Sequence, residues 1–431
     1  MMKKPHPKRR KVPPTEHTSQ KILAMIMAGG KGERLMPLTE QRSKPSVPFA
    51  GTYRIVDFVL SNFVNSGILG MYVLVQYRSQ SLIEHLRRTW RFGGPNRQAF
   101  ITVVPPQMKG RGKWYEGTAD AVYQNINLIH DFAPGLVAVF GADHIYRMDI
   151  RQMVQFHLDN QAEITVAALP VPIHAAKGFG IMDVTSDSQI IGFEEKPANP
   201  KPMPGNPDMA FSSMGNYIFN VDTLVRILEQ DASKAGTHDF GRDIIPSLIK
   251  SHRVMAYDFM DNAVPGIHPY EEWGYWRDVG TLDAYWQANM DILGQTPIFD
   301  LRNVRWPIVT DASVEPVASL VKSRLDDAMV GQGTLVVDST ITRSIIGRNV
   351  RIAEGCTIEE SIILDGTIIG SKCHLRRCII DRFNVLESGT ELGFQTGREG
   401  RKSTIGKSGL TVLPRGHSYG GRAVSFSPPS S

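Results

Sequence analysis

Apolar residues gather into short unbroken runs along the first half of the chain, each closed by glycine or a polar turn. Residues 21–28, KILAMIMA, form one such run, and MYVLVQ from Met71, LVAVF from Leu136 and ITVAAL from Ile164 repeat it. Runs of that length, apolar on both faces, belong to buried parallel strands. Between them the period lengthens. From Thr118 to Phe132, Val122, Ile126 and Ile129 recur three or four residues apart and line one face of a helix. Strands alternating with helices predict an α/β domain on a mostly parallel sheet, with ligands bound beyond the carboxyl ends of its strands.

The pattern changes in the second half. Ala198 to Asp208, ANPKPMPGNPD, holds too many prolines for a helix or a central strand and predicts a surface loop. A helix beginning at Thr281, TLDAYWQANMDIL, closes the first domain. From about residue 333 the apolar positions fall into a period of six: Ile346, Ile352, Ile358 and Leu364, then Ile363, Ile369 and Leu375, then Ile380, Leu386 and Leu392. Gly347, Gly355, Gly366, Gly370 and Gly389 punctuate the runs. Such a repeat predicts a parallel β-helix whose stacked coils bury one continuous column, a common platform for oligomers. The expected organisation is therefore a basic tail at 1–20, a first domain at 21–294, a linker at 295–332, a hexapeptide-repeat β-helix at 333–393 and a C-terminal extension at 394–431.

With 431 residues, an ordinary apolar share of 42% and charged share of 21%, the chain has ample core to fold without crosslinks. The net charge of +5 traces to Lys3, Lys4, Lys8, Arg9, Arg10 and Lys11; without them the count is 42 basic against 43 acidic residues. That location marks a disordered solubilising arm rather than a nucleic-acid surface, and no helix-turn-helix, zinc or aromatic-basic platform accompanies it. Cys356, Cys373 and Cys378 form no CxxC pair and read as reduced, packed thiols. No apolar run reaches membrane-spanning length and the N-terminus lacks a signal-peptide core, so a cytoplasmic protein with no membrane partner is expected.

After the first strand comes Ala28-Gly29-Gly30-Lys31-Gly32-Glu33-Arg34-Leu35, a turn whose backbone N–H groups can face a triphosphate. It is no Walker A loop, because Gly32 stands where Ser or Thr is needed, and no dinucleotide fingerprint, because Leu35 replaces the third glycine. The pattern GGxGxRL followed about ten residues later by Lys44-Pro45 resembles the signature of sugar-nucleotide pyrophosphorylases. Further segments agree in order: Trp114 to Ala121, Gly141-Ala142-Asp143-His144, Phe193 to Pro197, Ser213-Met214-Gly215, His238-Asp239-Phe240 and Tyr275 to Thr281. Together they resemble the bacterial glucose-1-phosphate adenylyltransferases, also called ADP-glucose pyrophosphorylases, from about residue 21 to about residue 393.

That resemblance implies a Rossmann-like nucleotidyltransferase sheet followed by a left-handed β-helix, and transfer of AMP from ATP to α-D-glucose 1-phosphate with release of pyrophosphate, for glycogen synthesis. It implies that Gly29, Gly30 and Gly32 hold the nucleotide and that Arg34 and Lys44 clamp phosphates. Asp143 and Asp278 would hold Mg²⁺, Asp143 acting in catalysis with Arg34 and Lys44. Lys196 would contact the sugar phosphate and Glu195 a glucose hydroxyl, in a pocket completed by Tyr115, Gly180 and Ser213, with Tyr217, Asp239, Phe240 and Trp276 nearby. For Phe240 and Trp276, core packing competes with that role. A phosphate oxygen of the sugar phosphate is already anionic and needs no general base, which accounts for the lack of a Ser-His-Asp arrangement.

The family is regulated by glycolytic intermediates and AMP-like inhibitors at a site between the two domains, and it forms homotetramers. Arg42 and Arg54 are the expected anion contacts. Gln41 and Pro48 stand where relatives activated by fructose bisphosphate carry Lys and His, so a different sugar-phosphate or carboxylate activator is expected, fructose 6-phosphate or pyruvate. Three alternatives stand beside this reading: a pyrophosphorylase for another nucleotide or sugar, a noncatalytic regulatory subunit of the same fold, and a nucleic-acid binder acting through the tail.

Overall fold

Glycine or a polar residue at the end of each apolar run stops the strand where the chain turns, and the buried runs assemble as one sheet. In the computed structural model, which describes residues 20–90, 99–107, 114–310, 315–394, 404–406 and 408–416, this sheet has nine strands. Its parallel part runs Leu136–Gly141, Ile22–Ala28, Gly70–Val75, Phe100–Val104. Beyond Leu136–Gly141 the sheet turns antiparallel through the long strand Met209–Asn220, which pairs with Ile164–Pro172 and Gly180–Val184. The sheet is thus mixed, with the expected parallel half carrying the glycine-rich turn. Side chains of Ile22–Ala28 alternate between two cores: Ala24, Ile26 and Ala28 on one face, Leu23 and Met25 on the other.

Residues 118–132 form two helices, Thr118–Tyr123 and Ile126–Phe132, rather than one. The break lies at Asn125, whose amide donates to the Ala121 carbonyl at 2.8 Å and the Tyr115 hydroxyl at 2.9 Å. The helix after Thr281 runs Leu282–Met290, with the Thr281 hydroxyl accepting from Ala284 N–H.

Three sheets of five, five and six strands form the C-terminal β-helix, parallel except for Thr404–Ile405, which runs antiparallel to Thr411–Leu413. Partners lie sixteen residues apart in the first coils, Arg324 beside Thr340 and Leu335 beside Arg351, and seventeen apart after them, Thr340 beside Thr357 and Ile345 beside Ile362. A coil one residue short of three hexapeptides explains why the sixfold pattern restarts in a new phase at Ile363 and Ile380. Ile346, Ile363 and Ile380 fill the interior with Ile358 and Leu375, whereas Leu364, read in the same column, joins the core shared with the first domain. Cys356, Cys373 and Cys378 are free and buried.

The domain boundaries differ from the sequence reading at both ends of the solenoid. Strands Ser319–Val321, Arg324–Asp326 and Met329–Val330, inside the expected linker, make the first coil. A terminal coil has solvent on its outer end, so its apolar period is thin: Leu320 is exposed. At the other end Thr411–Leu413, in the expected extension, pairs with Cys378–Ile380. Part of the linker packs against the first domain: Phe299 and Trp306 are buried, and Arg147, bonded to Glu271 at 2.9 Å, lies over the Phe299 ring. The basic residues of the tail lie outside the described residues.

The two domains share a core. Leu35, Leu38, Val47 and Phe49 of the first pack with Ile345, Ile362, Ile379 and Val412 of the β-helix. Trp286 donates to the Glu360 carbonyl at 2.8 Å, and Arg42 pairs with Asp381 at 2.7 Å with both side chains buried. The segment that carries Lys44 is therefore pressed against the solenoid.

Candidate active site

Parallel strands end on a common edge, and the loops leaving that edge enclose a cleft of about 910 Å³. The glycine-rich turn forms one wall. Gly32 has φ +65°, and a Cβ there would sit 3.0 Å from Thr39 and 3.2 Å from Lys44, so the position excludes a side chain twice over. The Thr39 hydroxyl donates to the Gly32 carbonyl at 2.8 Å and closes the turn. Gly29, Gly30 and Arg34 face the same cleft.

Asp143 and Asp278 come from different ends of the chain. Asp143 follows Leu136–Gly141, and a two-stranded ribbon of His144–Tyr146 with Trp276–Asp278 places Asp278 opposite His144. Lys44, buried at the start of a short 3-10 turn, donates to Asp143 Oδ2 and Asp278 Oδ1, each at 2.9 Å. Arg34 stands 3.7 Å from Asp278. Burial would raise the Asp143 carboxyl, but Lys44 and His144 outweigh it and hold it well below the ordinary carboxylate range. Burial likewise opposes the charge on Lys44, and the two aspartates overcome it, raising the ammonium above its ordinary value. Asp143, His144 and Asp278 each bring a ligand atom within 4.8 Å of the others. The two carboxylates suit a hard divalent cation, whereas the imidazole beside them is a softer donor.

The opposite wall carries the residues expected for a sugar phosphate. A Cβ on Gly180 would lie 2.7 Å from Phe193 and 2.8 Å from Glu195, so glycine leaves room for both. Glu195 and Lys196 are 3.4 Å apart, and Lys196 adopts φ +52°, a strained conformation that turns the chain at the rim. Ser213 accepts from Gly215 N–H at 3.2 Å in an irregular part of its strand. Tyr115, Tyr217, Asp239, Phe240 and Trp276 also line the cleft.

Several of these side chains already have structural work. Asp239 accepts from the N–H groups of Gly241 and Arg242 and from the Thr118 hydroxyl, at 2.9, 3.0 and 3.0 Å. Phe240 is buried between Tyr217 and Phe219 at ring separations of 5.6 and 5.3 Å. Trp276 packs against His144 with the rings tilted by 41° at 4.7 Å, and both keep a buried ring nitrogen without a protein partner among the described residues. His144 and Gln76 line the cleft unforeseen; His144 lay within a recognised motif, while nothing local marks Gln76, which donates to the Tyr115 carbonyl at 3.2 Å.

Arg42 and Arg54 lie apart from the cleft, at the seam between domains. Arg54 donates to the Ser46 carbonyl. Burial, then the neighbouring Arg382 and Arg42, lower the Arg54 guanidinium to about 9.

Comparison with known proteins bears on this arrangement directly. The nucleotidyl transferase family pattern matches residues 23–295, and the pattern described as GlmU-like, C-terminal hexapeptide matches residues 316–413. A glucose-1-phosphate adenylyltransferase of Thermodesulfovibrio yellowstonii is 50% identical over 400 residues, covering 93% of this chain and 97% of its own. The chain belongs to the glucose-1-phosphate adenylyltransferase family. Relatives of the same name from Anaeromyxobacter sp. and Vibrio parahaemolyticus are 46% and 45% identical, covering 92% and 93% of this chain and 98% and 99% of theirs. A glucose-1-phosphate adenylyltransferase is a nucleotidyltransferase, so the chain is an enzyme rather than a noncatalytic subunit of the same fold. Among the described residues, no helix is long and apolar enough to cross a membrane.

Proposed function

We propose that this chain transfers AMP from ATP to α-D-glucose 1-phosphate, giving ADP-glucose and pyrophosphate for glycogen synthesis, in the cytoplasm. The observation that carries the proposal is the convergence of the glycine turn, Arg34, Lys44, Asp143, Asp278 and Lys196 on one cleft. Gly29, Gly30 and Gly32 offer backbone N–H groups to the triphosphate, and Arg34 and Lys44 neutralise charge moving onto the leaving pyrophosphate. Glu195 and Lys196 orient the sugar phosphate, in a pocket shaped by Tyr115, Gly180, Ser213 and Tyr217, so that its anionic oxygen attacks the α-phosphorus in line. Asp239, Phe240 and Trp276 hold the walls. Asp143 and Asp278 would bind Mg²⁺, which supplies charge neutralisation on phosphate oxygens when bound.

A pyrophosphate-release assay across four nucleoside triphosphates and several sugar phosphates tests this reading. ATP with glucose 1-phosphate should give the highest kcat/KM; preference for another pair overturns it.

The seam between domains supports regulation by an anion. The charges of Arg382 and Arg42 bear on Arg54 there; Arg42 is paired with Asp381 and Arg382 with Asp365 at 3.0 Å, so Arg54 is the guanidinium best placed to meet a phosphate or carboxylate. With Gln41 and Pro48 flanking it, fructose 6-phosphate or pyruvate should activate more than fructose 1,6-bisphosphate, and an AMP-like inhibitor should oppose them. A homotetramer is the proposed assembly.

A further inference from the structure

Lys44 occupies a place that its proposed partners need for another purpose. Its nitrogen lies 2.9 Å from one oxygen of each carboxylate that would hold the metal. A Mg²⁺ ion takes oxygen ligands at about 2.0–2.1 Å, so an ion bound by these two oxygens and an ammonium between them exclude one another. The backbone beneath Lys44 is fixed. Val47 N–H donates to the Lys44 carbonyl and Ser46 N–H to the Ser43 carbonyl, both at 3.0 Å, with Pro45 between. The movable part is the four-carbon side chain.

The end of that turn is held from the seam. Ser46 pairs through its hydroxyl with Ser81 at 2.9 Å, while its carbonyl accepts from Arg54. Arg54 also starts the helix Ile55–Asn65, its N–H donating to Asp57 at 2.9 Å. A short bonded path thus runs from the arginine cluster through Ser46 to Lys44 and the paired aspartates.

We propose that Lys44 is a tethered competitor of the divalent cation, holding Asp143 and Asp278 together until a metal ion displaces it, and that Arg54, through the Ser46 carbonyl, sets how readily it leaves. The proposal rests on the reading of Asp143 and Asp278 as metal ligands. A clamp held by Lys44 about nine-tenths of the time weakens apparent metal affinity about tenfold. Release of the Ser46 carbonyl by an anion that draws Arg54 away would then strengthen metal binding without touching the cleft.

The test titrates Mn²⁺ into the full-length, nucleotide-free enzyme and follows free ion by electron paramagnetic resonance, with thermal melts confirming that each variant is folded. Lys44→Met and Lys44→Gln should both bind Mn²⁺ about tenfold tighter than the parent, and Asp143→Asn added to Lys44→Met should remove the gain. Arg54→Gln should strengthen binding several-fold in the parent and leave Lys44→Met unchanged. Binding no tighter in either Lys44 variant overturns the competition, while loss of binding on Asp143→Asn would still uphold the metal-ligand reading. Tight binding that survives Asp143→Asn sinks that reading and the proposal with it. An equal effect of Arg54→Gln in both backgrounds removes Arg54 from the path.

Discussion

At the scale of single residues, the cleft concentrates charge that only its own counter-charges stabilise. Asp143 faces Lys44 and a histidine, and the isosteric Asp143→Asn change removes one carboxylate with little change in volume. Turnover should fall by about 10³-fold or more while the melting temperature stays near the parent's, as steady-state kinetics beside calorimetry will show. His238 makes a separate prediction. Its hydrogen bond to Asp231 at 2.7 Å, opposed by partial burial, raises its pKa above the ordinary 6.5. The stabilisation is fully present below that unfolded value and is lost as pH rises through the higher folded one. The stability advantage of the parent over His238→Gln should therefore grow from pH 8 to pH 6, read from melting temperatures at each pH. Residues that follow a buried strand, such as Asp143, were legible because the run of apolar letters fixes where the chain emerges. Gln76 was not, since its partner carbonyl at Tyr115 comes from a distant loop.

Elements were legible where one periodicity ruled and illegible where a side chain cut across it. The strands at Ile22, Met71 and Leu136 follow from unbroken apolar runs, whereas the break at Asn125 depends on an amide turning back to its own helix and to Tyr115. The antiparallel strand Met209–Asn220 carries ordinary alternation, which says nothing of its neighbours' direction. The glycine turn is the element on which a single methyl tells most. Gly32→Ala forces a left-handed residue against Thr39 and Lys44. It should cost about 1–2 kcal/mol in urea unfolding and raise the KM for the nucleotide. An unchanged KM would mean that the turn does not face the triphosphate.

For the molecule as a whole, the seam decides how the two domains act on each other. Its contacts are long-range pairings such as Arg42 with Asp381, which no local pattern announces, so the sequence showed two domains but not their joint. Removing one partner leaves the other charge buried and alone: Asp381→Ala should lose about 3–5 kcal/mol, and adding Arg42→Ala should recover part of it. Denaturant unfolding of the three variants checks both statements; additive losses would mean the pair is not coupled. The solenoid has an evolutionary consequence of its own. Neighbouring strands recur at sixteen residues from Arg324 to Thr340, at seventeen from Thr340 to Thr357 and at thirty-three from Cys378 to Thr411, so extra residues are taken up between strands while each rung keeps its register. Length variation in this region should therefore arrive as complete coils or be confined to corners, where a bulge leaves the stacking undisturbed.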